Sequence, residues 1–201
     1  MQRIVGILLA AGSSRRFGSN KLLMPLADGT LLAGAAAGTL IATVPESIAV
    51  VRPGDAELAT LLAGKGLRIV ECAEAELGMG HSLAAGVAAA SGADAWLIAL
   101  ADMPSIRIST FTRISAQLRA GSALVAPFHA GRRGHPVGFS ARFDTELLSL
   151  TGDAGARDLF AGHALSLTRL DVDDPGILID VDTPGDLAAQ CAGQSVAGLT
   201  S

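Results

Sequence analysis

The basic segment after the first apolar run of the chain has the residue types of a phosphate-binding loop. The run Ile4–Leu9 is about as long as one buried strand, and a small, glycine-containing, basic segment follows it. Gly12 lets backbone N–H groups approach an anion closely, and Arg16 and Lys21 supply positive charge. A surface loop with basic residues for solubility has the same composition. Neither the G-x-x-x-x-G-K-S/T nor the G-x-G-x-x-G pattern is present in this segment.

Two aspartates stand where a bound metal ion would need carboxylates. Asp102 follows the apolar run Ala95–Ala101 and would face the crevice at the carboxyl ends of a parallel sheet. Asp182 lies in a second acidic segment, where Asp180 would share its face of an extended chain. Mg²⁺ is usually held by one or two carboxylates together with substrate phosphates. Each aspartate could instead be a turn residue or a helix cap, and spacing alone does not rank them.

Two further glycine-containing segments carry polar groups. Gly78–Leu83 precedes a helical pattern and offers backbone N–H groups and the Ser82 hydroxyl, although a glycine turn with a serine cap fits it equally. Arg132–Pro136 is a second cationic segment, and it contains Arg133 and His135. The alternative there is a solvated basic hairpin with a structural histidine. The G-x-S-x-G pattern of a hydrolase nucleophile is absent from the sequence.

Strand-like apolar runs alternate with helical patterns along the chain. This alternation predicts an α/β fold, a single domain with a mostly parallel, doubly wound sheet covered by helices on both faces. The segment 128–134 is expected to be a loop, and Thr183 is expected to cap a last helix, Pro184–Cys191. The expected strands are Ile4–Leu9, Ser47–Val51, Leu67–Val70, Ala95–Ala101, Ser122–Pro127, Pro136–Ser140, Leu165–Leu170 and Ile177–Asp180. The other expected helices are Leu31–Ala42, Asp55–Ala63, Ser82–Ala90 and Ile108–Ala120.

The composition indicates one cytoplasmic domain. A chain of 201 residues, 50% of them hydrophobic, has room for a sizeable core. Its net charge of −4 gives no basic field for nucleic acid, so a polyanion would need local cations. Cys72 and Cys191 lack metal-ligand spacing, and no run approaches the ~20 apolar residues of a membrane span. We expect residues 1–191 to form the domain and 192–201 a flexible tail.

The first segment also resembles a family signature. Nucleotidyltransferases with a MobA-like fold carry L-A-A-G-x-S-x-R-M-G-x-x-K, from which this chain departs only at Phe17. The family patterns G-M-G-x-S-L, L-x-D-x-P, G-R-x-G-H-P, G-D-x-G-A-R and I-D-x-D-T-P-x-D-L follow, so the resemblance extends to about Leu187. It implies a Rossmann-like fold of the nucleotide-diphospho-sugar transferase type. The residues that match the first pattern are Leu9, Ala10, Ala11, Gly12, Ser14, Arg16, Gly18 and Lys21.

The resemblance implies a role for each of these groups. Arg16 and Lys21 would be the catalytic cations on the triphosphate, and Asp102 and Asp182 would hold Mg²⁺. The residues implied in nucleotide binding are Leu9, Ala10, Ala11, Gly12, Ser14, Gly80 and Ser82. Those implied on the side of the second substrate, the acceptor, are Arg133, His135 and Asp153.

Within this family the chain is most similar to the molybdenum cofactor cytidylyltransferases. They carry L-A-A-G, whereas the related guanylyltransferases typically carry L-A-G-G and a doubled glycine before the lysine. This chain has Ala11, and Ser19 and Asn20 precede Lys21. The implied reaction moves CMP from CTP to the phosphate of molybdenum-bound molybdopterin and releases pyrophosphate. The implied partners are CTP, molybdopterin, and a client molybdoenzyme or its chaperone, with no nucleic acid and no membrane.

Three other functions fit parts of the pattern. A nucleotidyltransferase for a sugar phosphate or a polyol phosphate would differ in the segments 128–136 and 152–157. A non-catalytic protein that delivers the cofactor to a molybdoenzyme would not need Lys21, Asp102 and Asp182 intact. A nicotinamide-dependent oxidoreductase is suggested by two glycines of Gly78–Leu83, but the third glycine is misplaced and no ribose-binding acid follows at the usual distance.

Overall fold

The strands and helices below come from a computed structural model that describes residues 2–12, 20–153, 156–183 and 185–188. Its strands are β1 (Ile4–Leu9), β2 (Ser47–Val51), β3 (Arg68–Glu71), β4 (Ala95–Leu100), β5 (Leu124–His129), β6 (Arg132–Arg133), β7 (Val137–Ser140) and β8 (Leu167–Asp171). Its α-helices are α1 (Leu32–Thr43), α2 (Ala56–Gly64), α3 (Met79–Ala89), α4 (Ile108–Arg119), α5 (Asp144–Leu148) and α6 (Arg157–Gly162). None of the described helices is long and apolar enough to cross a membrane.

One sheet contains all eight of these strands. β1 lies parallel to β2 on one side and to β4 on the other, and β3 adds to β2 in parallel. β7 runs antiparallel between β4 and β5, and β8 is parallel to β5. The strand order is β3-β2-β1-β4-β7-β5-β6, with β8 also paired to β5. The predicted α/β fold with a mostly parallel, doubly wound sheet is confirmed.

Helices cover both faces of the sheet because its central strands are apolar on both sides. All six residues of β1 are buried. Leu8 belongs to the core layer that contains α1, α2 and α4, whereas Ile7 belongs to the layer that contains α3, α5 and α6. Trp96 and Phe139 are fully buried in the second layer. Burying such a side chain contributes roughly 1.5–3 kcal/mol, which explains why these strands read as continuous apolar runs.

Three local predictions were wrong, and the contacts that decide the local structure differ among them. Ile177–Asp180, predicted as a strand, overlaps a 3₁₀ turn, Pro175–Leu178, which the Asp174 side chain caps by accepting the Gly176 N–H. The helix predicted to start at Ser82 begins at Met79. The segment 128–134, predicted as a loop, is a hairpin in which the end of β5 pairs with β6.

Asp174 anchors this 3₁₀ turn to α4 from a buried position. Asp174 is 2% exposed, and its carboxylate accepts hydrogen bonds from the Arg107 N–H (2.9 Å), the Thr110 hydroxyl (2.6 Å) and the Gly176 N–H (3.1 Å). Asp174→Ala leaves all three donors without this acceptor, so we expect the free energy of unfolding in urea to fall by about 3 kcal/mol. The exposed neighbour Asp173 provides a control, because Asp173→Ala should change the free energy of unfolding by less than about 0.5 kcal/mol. Equal effects of the two substitutions would contradict the anchoring role.

Candidate active site

Backbone hydrogen bonds join the candidate site segments at the carboxyl ends of the parallel strands. The Ala101 N–H donates to the Leu9 carbonyl at 3.0 Å, which ties the end of β4 to the end of β1. The Val181 N–H donates to the Asp102 carbonyl at 3.0 Å. Asp102 and Asp182 therefore reach the same crevice although they are far apart in sequence.

A helix cap fixes the backbone of Asp182. As predicted, Thr183 caps the helical residues 185–188: its hydroxyl accepts the Asp186 N–H at 3.2 Å, and the Asp186 carboxylate accepts the Thr183 N–H at 2.7 Å. The same carboxylate accepts the Asp182 N–H at 3.0 Å. Hydrogen bonds from Thr183 and then Asp182 lower the pKa of Asp186, which keeps the cap ionised.

Lys21 lies between the two candidate metal ligands. It begins the 3₁₀ turn Lys21–Leu23, which the Asn20 side chain caps. Its Nζ lies 2.9 Å from Asp102 Oδ2 and 2.8 Å from Asp182 Oδ1. The lysine side chain is 9% exposed, whereas the aspartate side chains are 25% and 49% exposed. Solvent therefore reaches this cluster mainly through its carboxylates.

The cluster carries an excess of negative charge. Burial acts to lower the pKa of Lys21, but hydrogen bonds and charges of Asp182 and Asp102 outweigh burial and raise that pKa. The side chain is therefore an ammonium ion at neutral pH. Nearby, burial raises the pKa of Asp180, and the charges of Asp182 and Asp102 raise it further. One lysine does not neutralise two aspartates, so an additional cation would be favoured here.

A cavity of about 310 Å³ opens beside this cluster, and we call it the nucleotide cavity after the predicted nucleotide-binding residues on its wall. It combines small residues with convergent charged groups, as small-molecule sites commonly do. Arg16 and Ser14 lie outside the described residues. The predicted site residues on its wall are Leu9, Ala10, Ala11, Gly12, Lys21, Ser82, Asp102, Asp153 and Asp182.

Two charged residues of this wall were missed by the sequence analysis, namely Arg52 and Glu76. Arg52 directly follows β2, and its Nη2 lies 3.8 Å from Asp55 Oδ2. The Pro53 and Gly54 that follow make this segment look like an ordinary strand end. Its position after a parallel strand was the available signal, because such residues share the ligand-binding edge of the sheet.

Gly80 lies in the packing between α3 and the segment 151–153, and the structure does not place it on the cavity wall. Its N–H donates to the Gly152 carbonyl at 2.8 Å, and a Cβ at this position would be 2.6 Å from the Thr151 carbonyl oxygen. Gly78, with φ of 130°, packs against the same segment, since a Cβ there would be 2.2 Å from the Gly152 carbonyl carbon. These glycines allow the backbone contact that brings Asp153 to the cavity.

A second cavity, of about 180 Å³, collects the three predicted acceptor residues, and we call it the acceptor cavity. Arg133, His135 and Asp153 line it together with Arg157 and Phe160. The Arg133 guanidinium lies 3.9 Å from the centroid of the Phe160 ring. Burial lowers the pKa of Arg133, and the positive charge of Arg157 lowers it further. Because Asp153 lines both cavities, the two adjoin.

His135 is a neutral polar group in the acceptor cavity. Its backbone N–H donates to the Ile177 carbonyl at 3.1 Å, and Gly134 is so close that a Cβ there would lie 2.1 Å from the same carbonyl oxygen. Its Nδ1 has no hydrogen-bond partner among the described residues. Burial lowers the pKa of His135 to about 4, although Asp102 raises it. The imidazole can therefore hydrogen-bond a substrate at neutral pH without adding charge.

Asp102 and Asp182 fit a divalent ion that binds together with a nucleotide. Across residues 2–12, 20–153, 156–183 and 185–188, no group of three or more His, Cys, Asp or Glu side chains could hold a metal ion. The two aspartates nevertheless direct carboxylate oxygens at one cation, the Lys21 ammonium. Mg²⁺ commonly takes one or two carboxylates and completes its shell with phosphate oxygens and water.

Comparisons with known proteins identify a matching family and similar structures. The model of the family described as MobA-like NTP transferase domain matches residues 6–169. The chain is 34% identical over 191 residues to purine catabolism protein PucB of Bacillus subtilis, which covers 90% of this chain and 92% of PucB. It is 32% identical over 189 residues to nicotine blue oxidoreductase of Paenarthrobacter nicotinovorans, again with 90% and 92% covered. The crystal structure of Rv0371c from Mycobacterium tuberculosis gives a TM-score of 0.83 at 25% identity over 95% of this chain and 98% of that one. The crystal structure of a manganese complex of Rv0371c gives a TM-score of 0.77 at 25% identity, over 95% of this chain and 99% of that one.

Proposed function

Because this chain belongs to the MobA-like NTP transferase family, a family of nucleotidyltransferases, we propose that it transfers CMP from CTP to the phosphate of molybdenum-bound molybdopterin. The products would be molybdopterin cytosine dinucleotide and pyrophosphate. The observation that carries the proposal is the cluster of Lys21, Asp102 and Asp182 beside two adjoining cavities. One cavity suits the nucleotide, and the other suits a second anionic substrate.

The choice of CTP is supported by the residues of the nucleotide cavity. Ala11 gives the L-A-A-G form of the first loop, and the Ser82 hydroxyl lines the same wall. The described lining contains no aromatic ring on which a purine could stack. Small side chains and a hydroxyl suit a pyrimidine that is recognised through hydrogen bonds at its edge.

The proposed chemistry needs positioning and charge more than proton transfer. An oxygen of the acceptor phosphate forms a bond to the α-phosphorus of CTP as the bond from that phosphorus to pyrophosphate breaks. The attacking phosphate is already ionised near neutral pH, so no strong general base is required. Lys21 and Arg16 would hold the triphosphate and stabilise the charge that develops during transfer.

Asp102 and Asp182 would hold a divalent ion, taken as Mg²⁺, between the protein and the triphosphate. When bound, such an ion supplies Lewis-acid stabilisation of the phosphoryl oxygens. The manganese complex of Rv0371c supports a divalent ion in this family. The aspartates contribute by fixing two oxygen donors at the edge of the nucleotide cavity.

The acceptor cavity supports an anionic second substrate. Arg133 and Arg157 both line it, and a guanidinium can contact a phosphate through two parallel hydrogen bonds. The neutral His135 adds a hydrogen-bonding group, and Phe160 adds an apolar surface suited to a flat ring. A client molybdoenzyme or its chaperone would receive the product.

Two other functions remain testable at the same site. A sugar phosphate or polyol phosphate would also satisfy the cations of the acceptor cavity. The relative named nicotine blue oxidoreductase favours a hydride-transfer function, for which the enzyme would use a nicotinamide cofactor. The aspartate pair around Lys21 favours phosphoryl chemistry instead, because hydride transfer makes no demand for such charges.

Pyrophosphate release by the purified protein with Mg²⁺ tests the proposed function. We expect release with CTP and molybdenum-bound molybdopterin together, and neither with CTP alone nor with GTP and molybdenum-bound molybdopterin. Release with GTP would move the assignment to guanylyl transfer, and release with CTP and a sugar phosphate would change the acceptor. Oxidation of a reduced nicotinamide cofactor without pyrophosphate release would favour the oxidoreductase function, and CTP binding without turnover would favour a delivery protein.

A further inference from the structure

The Lys21 ammonium occupies the point on which the two proposed metal ligands converge. Its Nζ is 2.9 Å from Asp102 Oδ2 and 2.8 Å from Asp182 Oδ1. A Mg²⁺ ion bound by the same oxygens would lie at about 2.0–2.1 Å from each of them. If the ion and the ammonium shared these two oxygens, two positive charges would lie very close together, so each would weaken the binding of the other.

We propose that Lys21 is an internal counterion that keeps Asp102 and Asp182 paired in the nucleotide-free protein and yields its place to a divalent ion when the nucleotide binds. The inference rests on the proposed function, since it takes the two aspartates as ligands of that ion. Its consequence is an order of binding. The divalent ion alone binds weakly, and it binds well only when the triphosphate draws the ammonium away.

The exposure of the three side chains supports this exchange. The lysine side chain is 9% exposed, while those of Asp102 and Asp182 are 25% and 49% exposed. An ion arriving from the cavity therefore meets the carboxylates before the lysine. The ammonium competes for the same oxygens and repels the ion.

The residues directly after β1 would give the lysine a second partner within reach. Lys21 and the small residues Ala10, Ala11 and Gly12 line the same cavity. A triphosphate bound against these three small residues would offer the ammonium phosphate oxygens without a rearrangement of the fold. The two carboxylates would then need a new cation, which the divalent ion supplies.

Binding of Mn²⁺ alone, without nucleotide or acceptor, tests this role. We would titrate Mn²⁺ and follow the free ion by electron paramagnetic resonance for the wild-type protein and Lys21→Met. We expect Lys21→Met to bind Mn²⁺ at least about tenfold more tightly, because one short-range repulsion is removed and two oxygens are released. Mn²⁺ should also raise the thermal midpoint of Lys21→Met more than that of the wild type.

Three variants separate displacement of a counterion from a general change of charge. Lys65→Met makes the same chemical change at the other lysine, which is exposed, and should bind Mn²⁺ like the wild type. Arg52→Met removes a positive charge from the same cavity wall but leaves Lys21 paired with both aspartates. Its Mn²⁺ affinity should therefore exceed that of the wild type by no more than about threefold. Lys21→Arg keeps a cation at this position and should bind Mn²⁺ weakly.

The outcomes are distinct. Equal Mn²⁺ affinities of Lys21→Met and the wild type would overturn the proposal, as would an equal gain in Arg52→Met. If the gain in Mn²⁺ affinity is lost when Asp102→Asn is added to Lys21→Met, the proposal is supported, because the ion is then located at the aspartates. Because the titration contains no CTP and no acceptor, its result is independent of turnover. A gain in Mn²⁺ affinity in Lys21→Met, with no pyrophosphate release by the wild type, would keep the counterion role and reject the transferase. Pyrophosphate release by the wild type, with no gain in Mn²⁺ affinity in Lys21→Met, would keep the transferase and reject the counterion role.

Discussion

Lys21→Ala is expected to lower kcat for pyrophosphate release by about 10²-fold or more. The substitution removes a preorganised cation that would contact the triphosphate as its charge redistributes, and loss of one such group commonly has an effect of this size. It also leaves Asp102 and Asp182 without the ammonium they now share. Steady-state rates with CTP and molybdenum-bound molybdopterin at saturating Mg²⁺ measure the effect.

Lys65→Ala is the matched control for this prediction, since Lys65 is the other lysine of the chain and is exposed. Its kcat should stay within about twofold of the wild type, in line with the small effects of most surface substitutions. Circular dichroism should show that Lys21→Ala is folded at the assay temperature. Turnover of a folded Lys21→Ala close to that of Lys65→Ala would remove Lys21 from the catalytic site.

Asp102→Asn is expected to lower kcat by about 10²- to 10³-fold. The amide has nearly the shape of the carboxylate but lacks its charge, so it is a poor ligand for a divalent ion. Asp182→Asn should act in the same direction. If both aspartates hold one ion, the double variant should lose much less than the product of the two single losses.

Asp173→Asn provides the matched control for these carboxylates because Asp173 is exposed and lies outside both cavities. Its rate and its dependence on Mg²⁺ concentration should match the wild type. Independent, fully multiplicative losses in the double variant would argue that Asp102 and Asp182 do not bind a common ion.

Much of the fold could be predicted because burial on both faces leaves an unambiguous pattern. β1, β2 and β4 are continuous apolar runs, and the helices between them require parallel crossovers. The antiparallel placement of β7 between β4 and β5 could not be predicted, since a four-residue run reads the same in either direction. The turn at Pro175–Leu178 depends on a carboxylate that also bonds α4, which is a contact between distant segments.

The residue types of the candidate site could be predicted, but their pairing could not. Lys21 lies 81 positions from Asp102 and 161 from Asp182, and the sequence does not show that one ammonium contacts both. The family resemblance implies that Lys21 binds the triphosphate and the aspartates bind the metal, whereas the structure joins all three. Arg52 was missed for a related reason, because its place on the cavity wall depends on the order of strands in the sheet.

Transfer of label from CTP with ³²P at the α-phosphate tests the central claim most directly. The protein would be incubated with labelled CTP, Mg²⁺ and molybdenum-bound molybdopterin. The products would then be separated by chromatography and their masses measured by mass spectrometry. We predict that the label appears in a product with the mass of the cytosine dinucleotide, in equal amount to the pyrophosphate released. Label that remains in CTP, or that is recovered only as free CMP, would contradict transfer to the pterin.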